Sequence, residues 1–358
     1  MAIKIDCDSH FLPYDAFDEV DPRFGDRGPR FVFTGNDKEV VVYKARAEKI
    51  LDFMWDYPTC LNLGRRHPGV SNAGVRARDL AKIGFDRQVL VPNNAPFAYD
   101  VETELSASVC RSYNTAVSRV LQEYPNTFIG LAVLPMQDVD RAIAELDYAI
   151  TELGLHAPQI GTSVLDKNLD EYEFWPFYRR VEELNVSLII HCSHLTVTAG
   201  AHRYKRYRFG NALQFPAESS LAIGSLICSG ALDSFPRLRV GILEAGAGFL
   251  PYLFDRLDEV TVEEPHYTKV SIAKLAHEYL DQFWFSFNIK TEAASLPFLI
   301  ERIGSDRLLL SSDYPHSMAG SGVNTIQFLE SLDTVSAADK EKMMGLNAVE
   351  LFGLGTGR

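Results

Sequence analysis

The run SLIIHC, Ser187–Cys192, decides the fold. Leu188, Ile189 and Ile190 are apolar on both alternating faces, so a strand here must be covered on both sides. RLLLSS, Arg307–Ser312, reads the same way. Strands of this kind belong to parallel sheets packed against helices. Working outward, similar short runs occur at Ile3–Asp8, Gln88–Pro92, Phe128–Leu134, Leu155–Gly161, Leu238–Glu244 and Trp284–Asn288. With Ser187–Cys192 and Leu308–Ser312 they make eight. Segments of helical period lie between them, most clearly Val101–Tyr124 and Val139–Leu153. Neither contains a proline, and the breakers Pro125 and Gly154 stand just past their ends.

Eight strands alternating with helices predict an α/β fold of the (β/α)₈ TIM-barrel type. A doubly wound open sheet would carry G-x-G-x-x-G after its first strand, and none is present. The 358 residues then read as a single barrel domain over 1–358. Such a barrel needs about 250 residues, so the excess lies in insertions. One insertion is expected from Phe11 to Arg78 and another from Ser193 to Ser220. Both follow strand C-termini, the catalytic face of a barrel. Phe215–Phe235 is expected to be a barrel helix and a candidate contact surface.

At 46% hydrophobic and 23% charged residues, the chain is neither disordered nor a disulfide miniprotein. The 35 basic and 48 acidic side chains give a net charge of −13. That excludes general nucleic-acid binding and anionic-membrane binding, which need a basic surface. Cys7, Cys60, Cys110, Cys192 and Cys228 are odd in number, widely spaced and without C-x-x-C. They read as free thiols in a reducing, cytoplasmic compartment. The start MAIKIDCDSH has no leader pattern, and no apolar run approaches the ~20 residues of a membrane span.

The chemistry gathers at the strand ends. The first strand ends in Asp8-Ser9-His10, the fifth in His191, the sixth in Glu244 and the eighth in Asp313. Asp8 and His10, at i and i+2, share a face of an extended strand. With His191 and Asp313 they form a set of two imidazoles and two carboxylates. That set suits one divalent ion with an open position: zinc first, manganese or iron as alternatives.

At this point the chain resembles the amidohydrolase-related family, in the branch of aminocarboxymuconate-semialdehyde and γ-resorcylate decarboxylases. The resemblance rests on IDCDSHFLP, LIIHCSH, SFPRLRVGILEAGAGFLPYLFDRLDE, LLLSSDYPH and NAVELFGL, and so spans nearly the whole chain. It implies a metal-dependent barrel with ligands at Asp8, His10, His191 and Asp313, the last doubling as acid/base. It also implies a homodimer. Asp8 stands where many members have His; a carboxylate there does occur in the decarboxylase groups. Glu244 stands where decarboxylases usually have His, and reads as a metal ligand, a general acid/base or a structural carboxylate. The fourth strand lacks the lysine of binuclear members, and His156 lies at its wrong end, so a single metal is expected.

Around this centre, His316 is a candidate to orient substrate or Asp313, and His194 to support the site. Arg203, in the basic and aromatic run His202–Gly210, is a candidate carboxylate partner. Asn93 and Asn288 are candidate polar walls, and Phe53, Met54, Trp55 and Tyr57 candidate apolar ones. His67, His202, His266 and His277 read as ordinary polar residues, and Cys7 and Cys192 as packing behind the site. The expected function is metal-dependent, non-oxidative decarboxylation of an aromatic or conjugated carboxylic acid. A hydrolase using an activated water is the alternative. A silent scaffold barrel is the third reading, opposed by the complete ligand set.

Overall fold

The computed structural model describes residues 3–34, 38–43, 45, 60–62, 67–92, 96–192, 210–264, 272–287, 289–315 and 325–355. Its strands are β1 (Ile5–Asp6), β2 (His10–Phe11), β3 (Pro29–Thr34), β4 (Lys38–Tyr43), β5 (Cys60–Asn62), β6 (Arg87–Pro92), β7 (Phe128–Val133), β8 (Ala157–Ile160), β9 (Ser187–His191), β10 (Arg239–Leu243), β11 (Phe283–Phe287) and β12 (Leu308–Leu310). The order β1-β6-β7-β8-β9-β10-β11-β12 forms one sheet, with β2 also on β6. Every pairing in it is parallel.

The sheet closes on itself. Cys7 N donates to Leu310 O at 3.2 Å, Asp313 N to Asp8 O at 3.0 Å and His10 N to Tyr314 O at 2.7 Å. The expected barrel is therefore present, its first strand interrupted between Asp6 and His10.

The helices are α1 (Ala73–Ile83), α2 (Thr103–Glu123), α3 (Val139–Thr151), α4 (Trp175–Glu183), α5 (Phe215–Cys228), α6 (Ala231–Ser234), α7 (Leu250–Glu263), α8 (Ile289–Glu292), α9 (Leu296–Ile303), α10 (Thr325–Glu330), α11 (Ala337–Glu341) and α12 (Asn347–Leu351). Sequence chemistry sets their ends. Asn72 caps α1 through Val75 N, and Gly84 ends it at φ 86°, a left-handed conformation that glycine adopts without strain. Asp138 caps α3 through Arg141 N. The two expected helices, Val101–Tyr124 and Val139–Leu153, are α2 and α3 with slightly tighter ends.

One apolar cluster takes residues from every barrel strand but β2: Ile5, Val89, Val91, Ile129, Leu131, Ala157, Ile189, Leu243, Trp284 and Leu309. Ala348, Leu351 and Phe352 join it, so α12 and the residue after it plug the barrel's N-terminal end. Gly241 makes room for this plug. A Cβ there would lie 2.8 Å from Ile189 Cδ1 and 3.1 Å from Leu351 Cδ2.

Three expectations about the insertions change. Phe11 is strand rather than insertion, because β2 resumes the barrel edge against Val91 and Pro92. Residues up to Arg78 include most of α1, whose buried face holds Arg76, Asp79 and Leu80. Between them, β3, β4 and β5 form an antiparallel sheet of their own. The second insertion stops before Ser220, since α5 starts at Phe215. The expected helix Phe215–Phe235 is broken at Gly230, φ 76°, into α5 and α6. No helix among the described residues is long and apolar enough to cross a membrane.

Candidate metal centre

The closing hydrogen bonds bring the two ends of the chain's barrel strands together at the C-terminal face. Asp8, His10 and His191 are buried there, and the Glu244 side chain is 13% exposed. His10 Nε2 lies 3.3 Å from Glu244 Oε2, and His191 Nε2 lies 3.5 Å from the same oxygen. His191 Nε2 is 3.6 Å from Asp8 Oδ1, and His10 Nε2 is 3.4 Å from Asp313 Oδ1. The imidazole rings meet edge-on, with centroids 5.2 Å apart. One donor atom from each of Asp8, His10, His191 and Glu244 lies within 4.8 Å of the others.

Two strand ends are bent to make this cluster. Leu243 belongs to the barrel interior, so strand alternation alone would point Glu244 away from it. Glu244 instead adopts φ 73°, and Asp313 adopts φ 54°. Left-handed backbone at a non-glycine residue is strained and persists only where its surroundings hold it. Here Glu244 N donates to Asp8 Oδ2 at 2.9 Å and to Ser286 Oγ at 3.0 Å. Glu292 accepts from Ala247 N at 2.8 Å and from Gly248 N, which fixes the turn that follows.

The cluster attracts positive charge. Burial alone would lower both imidazoles, but carboxylate contacts outweigh it. Asp313 and Glu244 hold His10 up at about 9, and Asp8 and Glu244 hold His191 up at about 10. Burial likewise acts to raise Glu244, yet its close contacts with both imidazoles keep it well below the usual carboxylate range. Burial raises Asp313 to about 6, its contact with His10 opposing and the nearby Glu244 adding. Asp8 Oδ1, His191 Nε2 and Asp313 Oδ1 are buried with no hydrogen-bond partner among the described residues. Unpaired buried oxygen and nitrogen atoms facing one another, with three carboxylates to two imidazoles, fit a divalent cation. His191 Nδ1 lies 2.6 Å from Cys192 O. That bond takes the Nδ1 proton and turns the Nε2 lone pair toward the centre, as in metal-bound histidines.

The sequence reading placed Asp313 among the ligands and left Glu244 open. In the structure Glu244 is one of the four mutually closest donors, and Asp313, its side chain 34% exposed, stands at the rim beside His10. Cys192 packs behind the centre, its Sγ 2.9 Å from Ser219 Oγ, and Cys7 joins the barrel interior beneath it. His156 is held away from the site by Gly130 N, 3.3 Å from its Nδ1. Asn93, Arg203, Asn288, His194 and His316 lie outside the described residues, as do His202, His266 and the aromatic run Phe53–Tyr57.

Sequence reasoning missed a buried network beneath the first-strand residues. Arg76, on α1, is fully buried. It donates to Gly69 O, Ser9 Oγ and Gln88 Oε1, each at 2.9 Å, and to the carbonyl of His10. Its guanidinium lies against the rings of Phe11 and Tyr314. The Tyr314 hydroxyl donates to Asp79 Oδ2 at 2.9 Å and lies 3.1 Å from His67 Nδ1. His67 is thus built into this network rather than an ordinary surface residue. Arg76 and Asp79, at i and i+3 on one helical face, are the only sequence signal for it.

The amidohydrolase family profile matches residues 5–354. The chain belongs to the amidohydrolase family. This amidohydrolase is 32% identical over 280 residues to a 2-amino-3-carboxymuconate-6-semialdehyde decarboxylase of Dictyostelium discoideum, covering 78% of this chain and 76% of that one. It is 26% identical over 289 residues to a gamma-resorcylate decarboxylase of Polaromonas sp. (strain JS666 / ATCC BAA-500), covering 78% and 86%. Among solved structures, it is similar to a dihydroxybenzoic acid decarboxylase of Polaromonas sp. JS666 with bound manganese and the inhibitor 2-nitroresorcinol. The TM-score is 0.73 at 22% identity, with 100% of this chain and 98% of that one covered. The fold of the amidohydrolase barrel is therefore shared along the whole chain.

Proposed function

We propose that this amidohydrolase is a metal-dependent decarboxylase that removes CO₂ from an aromatic or conjugated carboxylic acid without redox chemistry. The observation that carries the proposal is the Asp8, His10, His191 and Glu244 cluster with Asp313 at its rim, in a chain whose relatives include the two decarboxylases named above. Asp8, His10, His191 and Glu244 would hold the ion, with Asp313 within reach of the same position. When bound, a divalent ion anchors the substrate carboxylate and a neighbouring oxygen and stabilises negative charge. Zinc is the first expectation from the donors. The excess of carboxylates suits manganese as well, the ion named with the Polaromonas enzyme.

Asp313 moves the proton. In the metal-free fold burial raises its carboxyl to about 6, in the direction a proton-exchanging side chain needs. It delivers a proton to the carbon bearing the carboxylate. The bond to the carboxylate then breaks, its electron pair returns to the ring carbon, and CO₂ leaves. Asp313 regains a proton from solvent, for which its rim position is suited. As a carboxylate that would hold the ion, Glu244 is not free to act as the base. The alternative hydrolase, which relied on Glu244 to help deprotonate water, loses that support.

We also propose a cytoplasmic homodimer. The free thiols Cys7, Cys110, Cys192 and Cys228 suit a reducing compartment, and exposed Leu213 and Leu221 suit a subunit contact. The test of function is a panel of aromatic and conjugated acids given to the metal-loaded protein, with CO₂ and descarboxy product measured. CO₂ release matched to product supports decarboxylation. Cleavage of amides or lactones with no CO₂ from any acid supports the hydrolase instead.

A further inference from the structure

Gln159 is 1% exposed, and its Oε1 has no hydrogen-bond partner among the described residues. The contrast with Gln88 is direct. Gln88 accepts from Arg76 at 2.9 Å and donates to Asp6 at 2.7 Å. A buried carboxamide left without a partner destabilises the fold, so native structures rarely keep one without another use.

Its position indicates that use. Ala157 belongs to the interior cluster, and side chains two apart on a strand share a face. Gln159 therefore points into the barrel. In the sheet it pairs with Ile189, and Ile160 pairs with Ile190. The next inward residue after Ile189 on the partner strand is His191, so Gln159 lies one inward step below a residue of the metal centre. Resting on the decarboxylase reading of that centre, we propose that Gln159 is a ligand-contacting residue at its floor. Its carboxamide oxygen accepts a hydrogen bond from a hydroxyl or amino group of the bound acid, and so selects acids that carry such a donor.

The test compares wild type with Gln159→Met, which keeps length and removes the acceptor. Dissociation constants for 2-, 3- and 4-hydroxybenzoate and for benzoate are measured calorimetrically on manganese-loaded protein. At least one hydroxybenzoate should bind about tenfold more weakly to the variant, with benzoate unchanged. Equal loss for all four acids, or no loss for any, overturns the proposal. Gln159→Asn, which withdraws the carboxamide by one methylene, should give the same pattern. Thermal unfolding of the metal-free protein is the second readout. Gln159→Met should melt at or above wild type, because an unpaired amide has been removed, and a clear fall overturns the proposal by showing the amide to be held by the protein. If none of the acids binds wild type, the decarboxylase reading fails, and the melting comparison still decides the state of Gln159.

Discussion

Asp313 N donates to Asp8 O at 3.0 Å, so the bond that closes the barrel also joins two carboxylate residues of the candidate centre. The same two residues lie 305 positions apart, 313 − 8, in the chain. Closing the barrel therefore also brings together two carboxylates of the centre, whose chemistry can be tested piece by piece.

Glu244 lies within 3.5 Å of both imidazoles. Glu244→Gln keeps its shape and removes its charge. Metal affinity should fall by about 10–100-fold, the worth of a charge-assisted contact. Calorimetric metal titration checks this, and unchanged affinity would place the ion elsewhere.

Asp313 stands at the rim, so Asp313→Asn should retain the metal while losing its proton donor. The rate constant kcat should drop by about 10²–10⁴-fold. Metal content and turnover are measured on the same preparation, and full turnover would remove Asp313 from the mechanism.

The imidazoles dictate a pH dependence. In the metal-free fold, His10 is raised to about 9 and His191 to about 10, from an ordinary 6.5. Folding thus favours the protonated rings. Their contribution to stability is complete below the ordinary value and is lost as pH rises through about 9 and 10. A metal must displace those protons, so its apparent affinity should climb across the same range. Titrations over a pH series, with the unfolding midpoint of metal-free protein, check both signs.

Arg76 is buried and anchors Gly69, Ser9, Gln88 and His10. Arg76→Met leaves those acceptors without a donor. It should cost about 3–5 kcal/mol of stability, as breaking a buried charged network does. Urea unfolding measures it, and a change within experimental scatter would make the network incidental.

The barrel was legible because its strands are short two-faced apolar runs and its clearest helices end at Pro125 and Gly154. Asp8, His10, His191 and Asp313 were legible because strand C-termini converge in such a barrel. The placement of Glu244 was not, since alternation after Leu243 points it outward and only a left-handed φ of 73° brings it back. Arg76 was hidden for another reason. A charged residue on an amphipathic helix normally faces water, and its partners come from the first strand, β6 and the approach to α1. The split of Phe215–Phe235 depends on Gly230, which a helical pattern tolerates on paper but the backbone uses to turn.

The proposed reaction breaks a carbon–carboxylate bond and protonates the carbon left behind. Its most direct test is decarboxylation in D₂O, with product followed by mass spectrometry and NMR before and after metal removal by chelation. CO₂ is expected together with product carrying deuterium at the vacated carbon, lost on chelation and restored by a divalent ion. Full turnover in the chelated protein, or product formed with the carboxylate intact, would contradict it.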